Sequence, residues 1–565
     1  MSKVFKKKVL ISTMVACITI SAIFLTIILV SSNIYGAEKI TYDISNDWGS
    51  GAIINVTITN TDSSPIDDWV VTWIFPENQK ISNMWNANYT QNGNSVKVSG
   101  FNWNSIIPAK GSVNFGFQIT YSGTNSVPSD ISVTTSKPTA TQPIITQSST
   151  TQPSTTQLST TQPSNNNGKP RVIVSTDIGG TDFDDYQSLV HLLVYADVLD
   201  IEGIISSPHG NGRLSHILNI IDKYEGDYPN LKTYSKEYPT ADELRSISVQ
   251  GETELAPYAG FRQETDGSKL IIKAARNKDP RPLHVLVWGS IEDVAQALHD
   301  APDIEKKIFV YYIGGPNKKW GPDAYQYIEE NHRNLSIIEA NSTYRGWFTG
   351  GNQTGDYDNS TFISKNIKGK GMLGDYFNSV GDTIKMGDTP SLARLLNGEP
   401  KSPADPSWGG KFVKAWERPH EIFNRITTSS DTIETFSVLE LWLPVGSTSN
   451  PNGTMKIDNQ NIQGFAALDG TLRFRYTPKA SKSYTYTISS NVPELDGKTG
   501  GLKAVDAEPS AANNPSPLYE NWWTDDPSPS LATDGHQGAV TVNMWREQFL
   551  DDFAERMIRC EKPNN

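Results

Sequence analysis

Four aspartates stand close together in the segment STDIGGTDFDDYQ, residues 175–187, directly after the apolar run Val172–Val174. They are Asp177, Asp182, Asp184 and Asp185. Carboxylates this close repel one another unless a cation lies among them or some remain protonated. Hard divalent cations such as calcium bind such oxygen clusters, and the two glycines let the backbone bend around an ion. An acidic helix N-terminus would need one aspartate, so the four favour a metal site.

The tryptophans fall into two environments. Trp69 and Trp73 lie in a run that alternates apolar and polar residues, which predicts core positions. Trp48, Trp85 and Trp103 lie in NDWGSG, SNMWNANY and FNWNSI, which are rich in Asn and Gly and typical of loops or strand ends. An exposed indole offers a flat apolar face to a sugar ring, and neighbouring amides can bond its hydroxyls. These three rings therefore predict a carbohydrate-binding strip.

Two kinds of periodicity predict the elements that position these residues, and together they indicate a multidomain protein. Alternation by two over residues 38–134 predicts an antiparallel β-sandwich. Over 170–420, buried apolar runs alternate with helical patterns, which predicts an α/β domain with a mostly parallel sheet. Alternation by two returns over 421–505, and residues 506–565 contain a helical apolar stripe that needs a partner. We therefore expect 421–505 to be an inserted β-rich subdomain and 506–565 to return to the α/β domain.

The other two segments predict export and a tether. Residues 1–37 carry three lysines, Lys6 to Lys8, before an uncharged apolar stretch. This pattern is typical of a signal peptide or of a retained membrane anchor, and both alternatives remain open. Residues 135–169 form a linker, because 21 of the 24 residues from 141 to 164 are Ser, Thr, Gln or Pro, which predicts a disordered, extended spacer. We expect an extracellular protein, secreted or anchored at the cell surface.

Length and charge limit the classes of partner. A chain of 565 residues exceeds what one hydrophobic core supports. Its 49 basic and 62 acidic residues give a formal charge of −13, which argues against a nucleic-acid polymer as partner. The cysteines are Cys17 and Cys560, so neither a disulfide framework nor a cysteine-based zinc site is expected.

Residues 38–134 resemble the family 2 carbohydrate-binding modules, the bacterial cellulose-binding type. The similarity lies in VTITNTDSSPIDDWVVTWIFP, ISNMWNANYTQNGNSVKVSGFNWN and GSVNFGFQITYSGTN. In that family three exposed tryptophans form the cellulose-binding strip, and they map onto Trp48, Trp85 and Trp103. Members often join their ends by a disulfide, for which this segment has no cysteine. The resemblance implies binding to crystalline cellulose or plant-wall polysaccharide.

The acidic loop resembles that of nucleoside hydrolases. It is more similar to the bacterial nucleoside-hydrolase-like cellulose-binding proteins, through TDIGG…DD, VWGSIEDVAQAL, GDTPSLARLL and NMWREQFLDDFAERM. The similarity spans about 170–420 and 506–565, and it implies a bound calcium ion, Ca2+. The implied ligands are Asp177, which is also the candidate general base, Asp185, Asp388 and the carbonyl oxygen of Trp288.

The same resemblance implies a substrate-binding set. Asp184 would contact sugar hydroxyls and take part in catalysis, and Asn211 matches the family's ribose-binding asparagine. His209 lies close by in the sequence, and either a leaving-group role or a hydrogen bond within the loop fits it. These residues predict a small sugar or nucleoside-like substrate.

Three departures distinguish this sequence from nucleoside hydrolases, and one is a longer acidic loop, with Thr181 and Asp182 added. Their Glu-Phe-Asn ribose grip has no counterpart after Gly314–Asn317, and their histidine before the late aspartate is Gly387 here. The metal ligands are thus kept while the nucleobase end is rebuilt. We expect a calcium-dependent hydrolase of a glycosidic or N-glycosidic bond in a plant-wall-associated substrate. The alternative is a non-catalytic cellulose- and sugar-binding surface protein.

Overall fold

The computed structural model describes residues 38–136 and 168–562, apart from 48, 63, 65, 86, 101–106, 108–109, 129, 181, 208–211 and 418–419. The chain divides at residue 155 into two compact units. The predicted export segment, residues 1–37, and most of the predicted linker lie outside the described residues. Within the described ranges, none of the helices is long and apolar enough to cross a membrane.

The first unit is a sandwich of two four-stranded antiparallel sheets, in the orders β1-β2-β7-β4 and β5-β6-β3-β8. One core takes side chains from both sheets, and the ring of Trp73 stacks on that of Phe117 with centroids 5.3 Å apart. Trp69 and Trp73 are buried, which confirms the predicted sandwich and the core role of both rings. The strands are β1 (Glu38–Asp47), β2 (Gly51–Asn60), β3 (Asp67–Ile74), β4 (Lys80–Trp85), β5 (Asn88–Asn92), β6 (Ser95–Ser99), β7 (Ser112–Thr120) and β8 (Ser132–Ser136).

The second unit is built on a sheet whose described strands number eight, in the order β11-β10-β9-β12-β13-β14-β25-β15. Each neighbouring pair is parallel except β15 with β25, which confirms the mostly parallel α/β fold. Its strands are β9 (Arg171–Thr176), β10 (Asp200–Ser206), β11 (Ser248–Gln250), β12 (Leu283–Val287), β13 (Ile308–Tyr312), β14 (Ser336–Glu339), β15 (Phe412–Lys414) and β25 (Trp522–Asp525).

Helices cover this sheet, and the strands themselves are buried because apolar side chains project from both faces. The α-helices are α1 (Asp184–Val194), α2 (Leu214–Tyr234), α3 (Ala241–Ser246), α4 (Asp266–Ala275), α5 (Glu292–Asp300), α6 (Gly315–Trp320), α7 (Pro322–Asn331), α8 (Asn359–Phe362), α9 (Gly371–Val380), α10 (Thr389–Leu396), α11 (Val540–Asn543) and α12 (Arg546–Ile558).

A β-rich subdomain interrupts the α/β domain, as predicted. Its strands form two sheets, β16-β18-β22-β21 and β17-β24-β23-β19-β20, around a core of their own. They are β16 (His420–Phe423), β17 (Thr432–Glu434), β18 (Val438–Pro444), β19 (Gly453–Ile457), β20 (Gln460–Gln463), β21 (Phe465–Ala466), β22 (Thr471–Tyr476), β23 (Ser483–Ser490) and β24 (Thr499–Val505).

The C-terminal segment returns to the α/β domain. β25 pairs with β14 and β15, and Trp522 is buried in the main core. The predicted apolar stripe is divided between two helices, because the chain turns at Met544 and Trp545 between α11 and α12. Phe553 of α12 packs against the buried His191, with ring centroids 4.9 Å apart.

Replacing Phe553 with alanine tests this return. The ring is buried and also lies against Phe377, with centroids 5.8 Å apart, so Phe553→Ala should destabilise the second unit by about 3–5 kcal/mol. Urea unfolding of the full chain measures the loss. The exposed Met544→Ala is the control, with an expected change below about 0.5 kcal/mol. Equal stability of the two variants would contradict the packing of α12 into the α/β core.

Candidate active site and metal centre

The predicted ligands of the second unit meet at the carboxyl edge of the sheet. Asp177 directly follows β9 and Trp288 directly follows β12. These two strands are parallel neighbours, with Val174 opposite Leu286, so their ends lie side by side. Asp184 and Asp185 begin α1, and Asp388 immediately precedes α10. Each comes from a strand end or a helix N-terminus, where a parallel α/β fold places ligand-binding groups.

A cavity of about 100 Å³ lies at this edge. Its lining combines five carboxylates with two cations and a set of aromatic and amide groups. The lining residues are Asp177, Asp182, Asp184, Asp185, Trp288, Ile313, Pro316, Asn317, Trp320, Tyr344, Arg345, Phe348, Lys385 and Asp388. The four aspartates of the acidic loop are therefore in one site with Asp388, which lies about 200 residues later in the chain.

The carboxylates are crowded, and three of them are nearly removed from water. Asp184, Asp185 and Asp388 are 8%, 4% and 3% exposed, and one oxygen from each of Asp182, Asp184 and Asp185 lies within 4.8 Å of the others. Burial, followed by repulsion from neighbouring carboxylates, raises the pKa of Asp177 to about 7. Burial likewise raises the pKa values of Asp184, Asp185 and Asp388 well above their usual range. Keeping this cluster ionised therefore needs positive charge.

Asp388 has an unused oxygen at this site. Within the described part of the chain, its buried Oδ2 has no hydrogen-bond partner, a costly state for a carboxylate oxygen. The loop is nevertheless firmly placed, because the Ser391 hydroxyl donates to the Asp388 carbonyl at 2.7 Å. Ser391 in turn accepts from the Trp288 indole Nε1 at 2.8 Å. The backbone of Asp388 is thus fixed at the cavity, and its side chain keeps one buried oxygen that could bind a cation.

The oxygen donors fit calcium. Asp177, Asp185 and Asp388 supply carboxylates, and among the described residues the Trp288 carbonyl accepts one hydrogen bond, from Asn317 Nδ2 at 2.9 Å. A carbonyl oxygen has a second lone pair, so this atom can also bind a metal. Calcium takes six to eight oxygen ligands in flexible geometry, which the four groups and water can provide.

Two glycines make room for the carboxylates. A Cβ atom at Gly289 would lie 2.4 Å from Cγ of Asp177, and one at Gly387 would lie 2.3 Å from Oδ2 of Asp184. Replacing either glycine with a larger residue would therefore displace an aspartate. Asp184 thus occupies space that a histidine at position 387 would need, which accounts physically for the glycine there.

Lys385 is a site residue that sequence reasoning missed. Its ammonium contacts Asp182 and lies 3.5 Å from Oδ2 of Asp184. Although burial lowers it, these carboxylates hold the pKa of Lys385 above its usual value. Gln187 of α1 fixes the loop, because its side-chain oxygen accepts from the Lys385 backbone N–H at 2.9 Å. Lys385 therefore supplies one built-in positive charge at the acidic cluster.

Several predicted residues cannot be placed. His209 and Asn211 lie outside the described residues, as do Trp48 and Trp103. Trp85 ends β4, but its side chain is not among those described. Their assigned roles remain predictions, as do the calcium and catalytic assignments of Asp177, Asp184, Asp185, Trp288 and Asp388.

The structure adds cavity residues that the motifs did not single out. Asn317 and Trp320 belong to α6, which follows β13, whereas Tyr344, Arg345 and Phe348 follow β14. Their positions in the sequence could have identified them, because both sets of residues come soon after a buried parallel strand, where ligand-binding residues of such sheets lie.

Comparison with known proteins gives a family match within each unit. Residues 171–412 match the family described as cellulose-binding Sde182, nucleoside hydrolase-like domain. Residues 38–137 match the cellulose binding domain of family 2. Both resemblances noted in the sequence are thereby confirmed.

The similar proteins share parts of this chain. Endoglucanase A of Thermobispora bispora is 41% identical over 100 residues, which are 18% of this chain and 22% of that protein. Endoglucanase C of Cellvibrio japonicus is 41% identical over 88 residues, which are 15% and 12% of the two chains. The match thus spans less than a quarter of either relative. A nucleoside hydrolase-related hypothetical protein from Saccharophagus degradans, associated with carbohydrate metabolism, aligns with 60% of this chain and 100% of its own, at 19% identity and a TM-score of 0.38.

Neutralising Asp388 should stabilise the metal-free protein. Raised carboxyl pKa values mean that the folded state holds more protons than the unfolded state above about pH 4, so stability falls as pH rises through about 7. In EDTA at pH 7.5, Asp388→Asn should unfold with a free energy about 1–2 kcal/mol larger than wild type. It should also lose any stabilisation by added calcium. Urea unfolding with and without calcium measures both effects.

The matched control is Lys385→Gln in the same loop. It removes the positive charge, so in EDTA it should be less stable than wild type at pH 7.5, the opposite of Asp388→Asn. At pH 4 both differences should shrink because Asp177, Asp184, Asp185 and Asp388, whose pKa values are raised, are then largely protonated. Destabilisation of metal-free Asp388→Asn at pH 7.5 would contradict the repulsion described above.

Proposed function

We propose that this chain, which joins a cellulose-binding domain at 38–137 to a nucleoside hydrolase-like domain at 171–412, is an exported, calcium-dependent hydrolase of a glycosidic or N-glycosidic bond. One observation carries the proposal. Five carboxylates line a single cavity, four from one loop and Asp388 from a distant part of the chain, and Oδ2 of Asp388 is buried with no hydrogen-bond partner among the described residues. Such an arrangement is costly for a fold that does not bind a cation.

The residues have distinct roles in this proposal. Asp177, Asp185, Asp388 and the Trp288 carbonyl would hold the ion. Calcium, when bound, supplies positive charge that orients a water molecule and lowers its pKa. Asp177, which is only half-buried at the cavity, accepts the proton from the attacking water. Asp184 accepts hydrogen bonds from sugar hydroxyls, and cleavage at the anomeric carbon develops oxocarbenium character.

The rest of the cavity favours a sugar. Trp320, Tyr344 and Phe348 contribute aromatic rings to the lining, and such rings stack on the apolar face of a pyranose or furanose. Gly387 gives no acid for a leaving nucleobase, and Lys385 and Arg345 are the described cations at the cavity. We therefore expect a substrate whose departing oxygen or nitrogen needs little protonation, or one whose leaving group takes its proton from solvent.

The first unit gives the hydrolase its location. Through Trp48, Trp85 and Trp103 the cellulose-binding domain would hold the enzyme on crystalline cellulose or other plant-wall polysaccharide, while the linker lets the second unit reach substrate nearby. Attachment to an extracellular polymer fits export by the N-terminal segment, either as a cleaved signal peptide or as a membrane anchor.

Hydrolysis assays on the full chain test the catalytic claim. Nucleosides and cello- and xylo-oligosaccharides are offered with calcium and with EDTA, and released base or reducing sugar is measured. We expect turnover of one substrate class with calcium, a loss of at least about a hundredfold in EDTA, and a similar loss in Asp177→Asn because water activation and ion binding both fail. The matched control is Asp551→Asn on the surface of α12.

The alternative function has its own signature. Calcium-dependent binding of an oligosaccharide, measured by calorimetry, together with absent turnover for every substrate would favour a sugar-binding surface protein. The contact of Lys385 with Asp184 is the observation that favours this second function, since it engages the carboxylate assigned to the substrate.

Cellulose binding is tested by replacing the tryptophan strip. In a pull-down on microcrystalline cellulose, Trp48→Ala with Trp103→Ala should reduce the bound fraction of the full chain by about tenfold or more, because two stacking surfaces are lost. Tyr89→Ala is the control, since Tyr89 is an exposed aromatic residue of β5 that does not belong to the predicted strip. Undiminished binding of the double variant would refute the strip.

A further inference from the structure

The β-rich subdomain contacts one wall of the cavity. That wall is α6, a helix of six residues, Gly315–Trp320, whose Pro316, Asn317 and Trp320 line the cavity. Asn317 donates from Nδ2 to the Trp288 carbonyl and to the Ile313 carbonyl, both at 2.9 Å. A helix this short has little intrinsic stability, so contacts from outside must hold it.

Two adjacent lysines of α6 provide these contacts. Lys318 Nζ lies 3.1 Å from Oε2 of Glu339 within the α/β domain, and it donates to the Phe436 carbonyl of the subdomain at 3.2 Å. Lys319 Nζ donates to Asp458 Oδ2 at 2.7 Å. Both lysines are 1% exposed or less, and a lysine so deeply buried depends on its partners.

The contact at Lys319 continues to the cavity wall. Its ammonium also donates to Oδ1 of Asn459 at 2.5 Å and lies 4.8 Å from the ring centroid of Trp320. Its backbone carbonyl accepts from Nε2 of Gln460 at 3.1 Å. The turn between β19 and β20 and the first residue of β20 thus bind both the side chain and the backbone of Lys319.

We infer that the β-rich subdomain sets the shape of the cavity wall, with Asp458 and Lys319 as positioning residues for Trp320 and Asn317. Among the described residues, the Asp458 carboxylate accepts hydrogen bonds from Lys319 and Lys482, and neither it nor Lys482 lines the cavity, so Asp458 acts on the cavity through Lys319. When Asp458 loses its charge, the buried ammonium loses its main counter-ion, and α6 must shift to hydrate it. Asn317 and Trp320 move with the helix, so the Trp288 carbonyl loses its fixed hydrogen bond.

The calcium affinity of the protein should depend on these contacts between the subdomain and α6. This test rests on the proposed function, because it assumes the calcium site. Calorimetric titration of the full chain with calcium chloride should give Asp458→Asn a Kd about threefold to tenfold weaker than wild type. Asp469→Asn is the matched control, because Asp469 pairs with Arg473 inside the same subdomain and its loss changes the charge equally. In a Lys319→Met background, Asp458→Asn should change Kd by less than about twofold, since the link is already broken.

Hydrogen exchange gives a readout that needs no metal. Peptides covering residues 315–320 should exchange faster in Asp458→Asn than in Asp469→Asn, while peptides of β12 keep wild-type protection and show that the fold is intact. Asp458→Glu should restore protection in part because it keeps the charge.

The outcomes separate the two proposals. If wild type binds calcium and Asp458→Asn matches Asp469→Asn in both Kd and exchange, the inference is overturned while the calcium site stands. If wild type binds no calcium, the proposed function fails, and the exchange rates of 315–320 alone decide whether the subdomain positions α6.

Discussion

Mutual repulsion among buried carboxylates is the constraint on which the site depends. A parallel sheet brings strand ends and helix N-termini to one edge, and this chain places aspartates at several of them. Asp184, Asp185 and Asp388 are nearly excluded from water, so they cannot ionise together without compensating charge. Lys385 supplies one positive charge, and the rest must come from bound cations or protons. Gly289 and Gly387 are then required, because they leave space for the aspartates.

Much of the fold and of the carboxylate cluster could be predicted from the sequence. The alternation of apolar runs and helices predicts the α/β fold, and the clustered aspartates follow from a single motif after β9. Asp388 was identified through its motif, and the structure places it at the same cavity. The predicted fold is confirmed, and these aspartates lie together because the determinants are local: each lies at a strand end or a helix start, and parallel strands end at the same edge of the sheet. Their roles as calcium ligands stay predictions.

The missed features depend on long-range contacts. Lys385 reaches Asp182 across about 200 residues of chain, and its identity as a site residue depends on how Gln187 holds its loop. The ion pair between Asp458 and Lys319 likewise joins segments that are 139 residues apart in the sequence. A periodicity reports whether a residue faces a core, but it does not report which distant charge lies opposite. The break between α11 and α12 was missed for a related reason, since the apolar stripe continues through the turn at Trp545.

The most direct test of the central claim is crystallographic: anomalous diffraction from crystals grown with calcium, collected at a long wavelength. We predict one strong peak bounded by Asp177, Asp185, Asp388 and the Trp288 carbonyl, with ion-to-oxygen distances of about 2.3–2.6 Å. A map without a peak there, in which the Lys385 ammonium alone faces the carboxylates at saturating calcium, would contradict a metal centre in this fold.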